Sequence, residues 1–155
     1  PLTGERSEIP LLFSPADESD ALISPNGKWL AYISDETGDD ELYVRSLKED
    51  GTLGTDRKKL STDGALRLAW ARDGQKLFFI QRDGKMMSVG VRTNGQTLEN
   101  ELPKALFATR TMLGYGLAEP FDVTADGKFL IGTLIGEPTA PAPTIILNWQ
   151  AAMKQ

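Results

Sequence analysis

The stretch "SPNGKWLAYISDETGDDELYVRSL", residues 24–47, contains a turn, an alternating strand, an acidic loop and a second alternating strand. The turn carries Asn26-Gly27, a pair that accepts positive φ in tight hairpins. In the second strand, Leu42 and Val44 would lie on one side and Tyr43 on the other. The stretch therefore predicts short antiparallel strands joined by tight turns.

The layout of this stretch recurs along the chain. Each copy has a short apolar strand, a turn ending in glycine, a polar residue and a second apolar strand. The copies are "ALISPNGKWLAYIS" (21–34), "RLAWARDGQKLFFI" (67–80) and "FDVTADGKFLIGTL" (121–134). The turn glycines, Gly27, Gly74 and Gly127, follow one another at intervals of 47 and 53 residues. The sequence is therefore a repeat.

Each repeat contains further strand-like segments. They are Lys58–Ser61 in the first copy; Lys76–Ile80, Lys85–Thr93 and Lys104–Phe107 in the second; and Lys128–Leu134 and Thr144–Asn148 in the third. About four short strands every 40 to 55 residues, with almost no helix, are typical of β-propeller blades. A β-sandwich is the alternative, but it does not require the same turn dipeptide in three successive units.

The fold predicted from these units is all-β, a single partial β-propeller over residues 1–155 with about three four-stranded blades. The expected divisions are an outer strand of a preceding or partner blade at 7–14, blades at 21–61, 66–108 and 119–149, and a tail at 150–155.

Residues 24–47 resemble the TolB-type, WD-like propeller repeat, which runs Ser-Pro-Asp-Gly-Lys, apolar strand, Ser-Asp, acidic loop and aromatic-containing strand. Residues 121–155 are similar to the carboxy-terminal end of bacterial TolB-like propellers, many of which are attached to membrane-anchored serine/threonine kinases or winged-helix regions. Asn26 departs from the usual Asp, and Arg72 and Ala125 depart from the usual Pro. The resemblance implies the last three blades of a six-bladed propeller in a periplasmic or other extracytoplasmic bacterial protein.

The predicted strands do not divide evenly into blades, because "SEIPLLFS" (7–14) adds one at the start and the third blade lacks one at the end. Three blades do not close a ring. The chain is then either the carboxy-terminal half of a longer propeller or half of a homodimeric ring with strand exchange. The strands expected to meet in such an exchange contain Glu8, Ile9, Leu11, Leu12, Phe13, Thr144, Ile145, Ile146 and Leu147.

The composition removes several function classes. Of the 155 residues, none is cysteine or histidine, which excludes disulfides, Cys/His zinc sites and Ser-His or Cys-His relays. The net charge of -5 argues against nucleic-acid or anionic-membrane capture. The basic run 57–59 is interpreted as an edge-strand surface. Kinase motifs are absent from the chain.

Three groups of residues are candidate sites. The acidic loop 35–41 could suit calcium but lacks ordered ligand spacing, so no metal is predicted. Asp122 and Asp126 could form an acid/base couple, but Asp126 already has a turn role beside Gly127. The loop 109–120 is longer than its counterparts and would lie on the ligand-binding face of a propeller, which makes Arg110, Tyr115 and Glu119 the predicted ligand contacts.

Two functions remain open. The leading one is a noncatalytic scaffold that binds a protein or peptide, without a cofactor. The alternative is the propeller of a larger enzyme, such as a peptidase or protein kinase, whose catalytic domain lies outside this sequence. The ligand and the partner are not determined by the sequence.

Overall fold

The computed structural model describes residues 10–94, 97–109 and 121–132. Within these residues the fold is all-β. The strands are β1 Glu18–Ile23, β2 Trp29–Ser34, β3 Glu41–Leu47, β4 Leu53–Lys59, β5 Arg67–Trp70, β6 Lys76–Ile80, β7 Lys85–Asn94, β8 Thr97–Asn100, β9 Lys104–Ala108, β10 Phe121–Val123 and β11 Phe129–Ile131. No helix long and apolar enough to cross a membrane occurs in this part of the chain.

The strands form three antiparallel sheets, none of which closes on itself in the described ranges. The first sheet has the order β1-β2-β3-β4. In the second sheet the order is β5-β6-β7-β8. β8 pairs with residues 91–94 of β7, and β9 pairs with residues 85–88 of β7. The third sheet consists of β10 and β11. The prediction of repeated antiparallel units is therefore confirmed at the level of the sheets.

The three glycine turns are hairpins, as predicted. They join β1 to β2, β5 to β6 and β10 to β11. The φ angles of Gly27, Gly74 and Gly127 are 72°, 68° and 79°. In the first turn, Gly27 N donates to Ser24 O at 2.8 Å, and Asn26 Oδ1 accepts from Lys28 N at 3.0 Å. The Asn/Asp-Gly pair thus fixes the register of each hairpin.

Two element predictions need correction. The fourth strand of the first unit was expected at 58–61 but runs over Leu53–Lys59, because the turn before it closes through a bond from Gly51 N to Lys48 O at 3.0 Å. The second unit contains an additional strand, β8, which pairs with the end of β7. Each of these two strands begins shortly after an Asx-Gly pair, Asp50-Gly51 for β4 and Asn94-Gly95 for β8. The sequence prediction did not use these two pairs.

The predicted strand at 7–14 can be compared only in part. Residues 10–14 are described and do not form a strand in the single chain. Phe13 is 98% exposed, whereas Leu12 packs against Leu30, Tyr32 and Tyr43 of the first sheet. Residues 7–9 lie outside the described ranges, as do 133–149, which include the end of the predicted Lys128–Leu134 strand and all of Thr144–Asn148.

The core lies between the sheets. One apolar cluster joins the first and second sheets and includes Trp29, Leu42 and Phe79. A second cluster joins the opposite face of the second sheet, through Phe78 and Ile80, to the third sheet. Residues 77–80 of β6 are therefore buried on both faces of the second sheet, which explains why β6 reads as a continuous apolar run rather than an alternating one.

The first strands of the three sheets are neighbours, since β5 contacts both β1 and β10. The indole Nε1 of Trp70 donates to the backbone oxygen of Leu22 at 3.2 Å and so connects β5 with β1. Trp29 belongs to the cluster between the first and second sheets, and Trp70 packs against it, whereas Trp149 lies outside the described residues.

Candidate binding cavity

A cavity of about 360 Å³ lies on the second sheet, at the end marked by the turn between β5 and β6. Its polar lining comes from β6, β7, β9 and the segment between β8 and β9. The side chains and glycine that define it are Lys76, Ser88, Gly90, Arg92, Glu101 and Lys104. The side chains of Arg92 and Lys104 in its lining are largely exposed, so the cavity is open to solvent.

The cavity residues share one face of the sheet because of strand register. Phe78 pairs with Ser88, and Lys76 pairs with Gly90. Residues directly opposite one another in antiparallel strands point to the same face. Phe78 belongs to the cluster that packs on the third sheet. The cavity therefore lies on the face that carries the third sheet, beyond the apolar residues that β10 and β11 cover.

The charges in the cavity are unbalanced. Glu101 accepts from Lys104 Nζ at 3.2 Å and lies 3.9 Å from Arg92 Nη2. Lys76, the third cation, has no ion pair among the described residues. Three cations thus surround a single carboxylate, on a chain whose net charge is -5. The cavity can accept additional negative charge.

Gly90 allows Glu101 to lie close against β7. A Cβ placed on Gly90 would lie 2.9 Å from Glu101 Cδ and 3.1 Å from Glu101 Oε2. Any larger residue at position 90 would displace the Glu101 side chain. A glycine in the interior of a strand often marks such a close approach.

The acidic loop does not gather its carboxylates at one point. Glu36 pairs with Arg57 of β4, and Asp39 pairs at 2.7 Å with Arg82 in the turn between β6 and β7. Asp35 Oδ1 accepts from Asp17 N at 2.9 Å. No group of three or more acidic residues suited to a metal ion occurs within residues 10–94, 97–109 and 121–132. Asp35, Glu36 and Asp39 thus each contact a different element.

Glu41 forms the most buried polar cluster near this loop, with 3% of its side chain exposed. Its carboxylate accepts from the Ser61 hydroxyl, from Gly64 N at 3.3 Å and from Lys59 Nζ at 3.2 Å. Ser61 Oγ accepts in turn from Leu42 N at 2.8 Å. The cluster holds the connection from the first sheet to the second, and each polar group in it has a partner.

The basic run 57–59 lies on β4, an edge strand of the first sheet, as the sequence interpretation required. Arg57 contacts Glu36 and lies 5.7 Å from the centre of the Tyr43 ring. Lys58 Nζ donates to Leu98 O at 3.0 Å, and Lys59 pairs with Glu41. All three cations have partners within the chain.

The aspartate pair on the third sheet serves local structure. Asp126 accepts from the Thr124 hydroxyl and pairs with Lys128 at 2.7 Å, contacts that belong to the β10–β11 turn. The hydrogen bond from Lys128, followed by that from Thr124, lowers the pKa of Asp126. Asp122 Oδ1 accepts from Val123 N at 2.7 Å. The turn role expected for Asp126 is confirmed.

The predicted ligand contacts Arg110, Tyr115 and Glu119 lie outside the described residues. Of the strand-exchange residues, Leu11, Leu12 and Phe13 are described, and the others, Glu8, Ile9, Thr144, Ile145, Ile146 and Leu147, are not. Sequence reasoning missed the cavity. The available signal was Gly90 inside an otherwise regular strand, followed by the charged residues Arg92, Glu101 and Lys104.

Comparison of the chain with models of known protein families and with curated protein sequences found no match.

Proposed function

We propose that the chain supplies three consecutive blades of a six-bladed, TolB-like β-propeller and acts as a noncatalytic scaffold for protein or peptide binding. In a bacterial cell this scaffold would be the sensor or assembly module of an extracytoplasmic protein. The observation that carries the proposal is that the second sheet packs against the first sheet on one face and against the third sheet on the other. Successive blades of a propeller pack face to face in this way.

The arrangement of strands adds support. The first strands of the sheets neighbour one another, as the strands around a propeller axis do. The same hairpin turn joins the first and second strands of each sheet. A sequence repeat with this period is typical of blades.

The noncatalytic part of the proposal rests on how the acidic side chains are used. The buried carboxylate of Glu41 and the pairs of Glu36 and Asp39 each satisfy a contact between structural elements. A general acid or base needs a reacting group within hydrogen-bond reach, in a pocket. Each of these three carboxylates has an oxygen paired with a cation of the chain, and the other oxygen of Glu36, Oε1, is buried without a hydrogen-bond partner among the described residues.

We further propose that two copies of the chain complete one ring, with residues 8–13 of each adding a strand to the partner's third sheet. Leu11 and Phe13 are exposed apolar residues of this segment, and Phe13 is 98% exposed. A side chain this apolar and this exposed is suited to burial against a partner.

Light scattering on a dilution series tests the ring. The expected result is a mass of about 34 kDa, twice the chain mass of 16.9 kDa, that persists on dilution. A mass of 16.9 kDa at every concentration would contradict the two-copy ring.

A further inference from the structure

The cavity on the second sheet has a charge opposite to that of the chain. Lys76, Arg92 and Lys104 face it together with Glu101, an excess of two positive charges on a chain of net charge -5. Arg92, Glu101 and Lys104 have side chains that are 83%, 49% and 72% exposed, so their charges act on groups that arrive from solvent. An acidic ligand would be drawn to this point of the surface rather than to the rest of the molecule.

A strand edge adjoins the cavity. Lys104, the first residue of β9, lines it, and within the described ranges β9 is paired with β7 alone. All five residues of β9 are exposed, including Leu106, which also lines the cavity. Leu102, just before β9, is 82% exposed. An extended peptide can add to such an edge through backbone hydrogen bonds while its alternate side chains enter a neighbouring pocket.

We propose that this cavity binds an acidic, extended peptide segment of a partner protein. A carboxylate side chain of the peptide enters the cavity, where Lys76, Arg92 and Lys104 attract it, and the peptide backbone pairs with the edge of β9 that has no partner strand among the described residues. Leu102 and Leu106 contact apolar residues of the same peptide. The inference rests on the proposed binding function, and it names the chemistry of the ligand and the place where it binds.

Glu101 is an internal competitor in this arrangement. Its carboxylate already neutralises part of the positive charge of Lys104 and Arg92. Removal of its charge would therefore increase the attraction for an acidic ligand, whereas removal of the Lys76 charge would decrease it. A pair of opposite effects distinguishes ligand recognition from a general loss of stability, which would weaken binding in both variants.

The test is fluorescence anisotropy with a labelled peptide, Val-Glu-Thr-Glu-Val-Glu-Thr, and the same peptide with Gln in place of each Glu. The expected result is saturable binding of the acidic peptide, weaker binding of the neutral peptide, and loss of affinity as the salt concentration rises from about 0.05 M to about 0.5 M. Unmeasurable binding of the acidic peptide, or equal binding of both peptides, would overturn the proposal.

Variants assign the binding to the cavity. Lys76→Gln is expected to lower the affinity for the acidic peptide roughly two- to fivefold, the range for a single exposed ion pair. Glu101→Gln is expected to raise that affinity by a similar factor. The matched control is Lys48→Gln, which removes the same charge from an exposed residue in the turn between β3 and β4. Equal affinities for Lys76→Gln and Lys48→Gln would overturn the assignment to the cavity.

Two further occupants are outcomes of the same experiment. If free succinate displaces the peptide at a concentration equal to that of the peptide itself, the site binds a small dicarboxylate, and the peptide assignment is wrong. If Lys76→Gln instead lowers the mass measured by light scattering, the occupant is a second copy of the chain. A monomeric mass together with normal peptide binding would contradict the ring and leave the cavity proposal standing.

Discussion

At the scale of single residues, Tyr32 shows how burial on the first sheet determines chemistry. Its ring stacks on that of Tyr43, with centroids 5.8 Å apart and planes inclined by 24°. Burial raises the pKa of Tyr32 to about 12, and the negative charge of Glu36 acts in the same direction. The folded protein therefore keeps this hydroxyl protonated at a pH at which an unfolded chain ionises it.

The pH dependence follows from that difference. The unfolded state loses the Tyr32 proton above pH 10, and the folded state loses it near pH 12. The contribution of Tyr32 to stability is thus complete below pH 10 and disappears between pH 10 and 12, with a slope of up to about 1.4 kcal/mol per pH unit.

Urea unfolding of the wild type and of Tyr32→Phe at several pH values between 9 and 12 measures this effect. We expect the free energy of unfolding to fall more steeply with pH in the wild type, because Phe has no proton to lose. Identical slopes in the two proteins would contradict the raised pKa.

At the scale of elements, the hairpin turns are the features for which local sequence is decisive. Gly27 adopts a φ of 72°, and no atom beyond the two adjacent residues lies within 4 Å of the position that a Cβ would occupy. The requirement for glycine here comes from the backbone conformation and not from crowding. Alanine disfavours this conformation, whereas asparagine tolerates it.

We therefore expect Gly27→Ala to lower the free energy of unfolding by about 1 kcal/mol, and Gly27→Asn to lower it by less. Chemical denaturation of the two variants and the wild type checks the order. Equal destabilisation by Ala and Asn would show that the substituted side chains, rather than the backbone angle, cause the loss.

The success of sequence reasoning has a physical basis in the strands. An alternating strand assigns its residues to two faces, so the opposite faces of Leu42 and Tyr43 on β3 were predictable and are confirmed by their separate apolar clusters. The turn pairs fixed the hairpins for the same reason, since they act within four residues.

The cavity depends on information that local sequence does not contain. Lys76 reaches it from β6 and Gly90 from β7, and these residues share a face only because of the register between the strands. Glu101 arrives from the segment after β8, a strand that was not predicted. A site assembled by register and by an additional hairpin is invisible to a search for motifs along the chain.

At the scale of the whole molecule, two kinds of contact hold successive sheets together: ion pairs between their loops and apolar clusters between their faces. Arg82, in the turn between β6 and β7, pairs with Asp39, in the loop between β2 and β3. The cluster that contains Trp29 and Phe79 joins the same two sheets. The pair is exposed and stabilises little, so the apolar cluster supplies most of the adhesion between sheets. A further sheet from a second copy would need apolar contacts of the same kind.

Phe13 is the residue that tests this requirement. We expect Phe13→Asp to shift the mass from about 34 kDa toward 16.9 kDa, because a carboxylate cannot be buried against a partner without a large desolvation cost. Leu102→Asp is the control, since Leu102 is 82% exposed and lies outside the segment proposed to exchange. If both variants keep the mass of the wild type, residues 8–13 do not hold the two copies together. If both become monomeric, the interface also includes the segment around Leu102, and the exchange of residues 8–13 is not the sole contact between the copies.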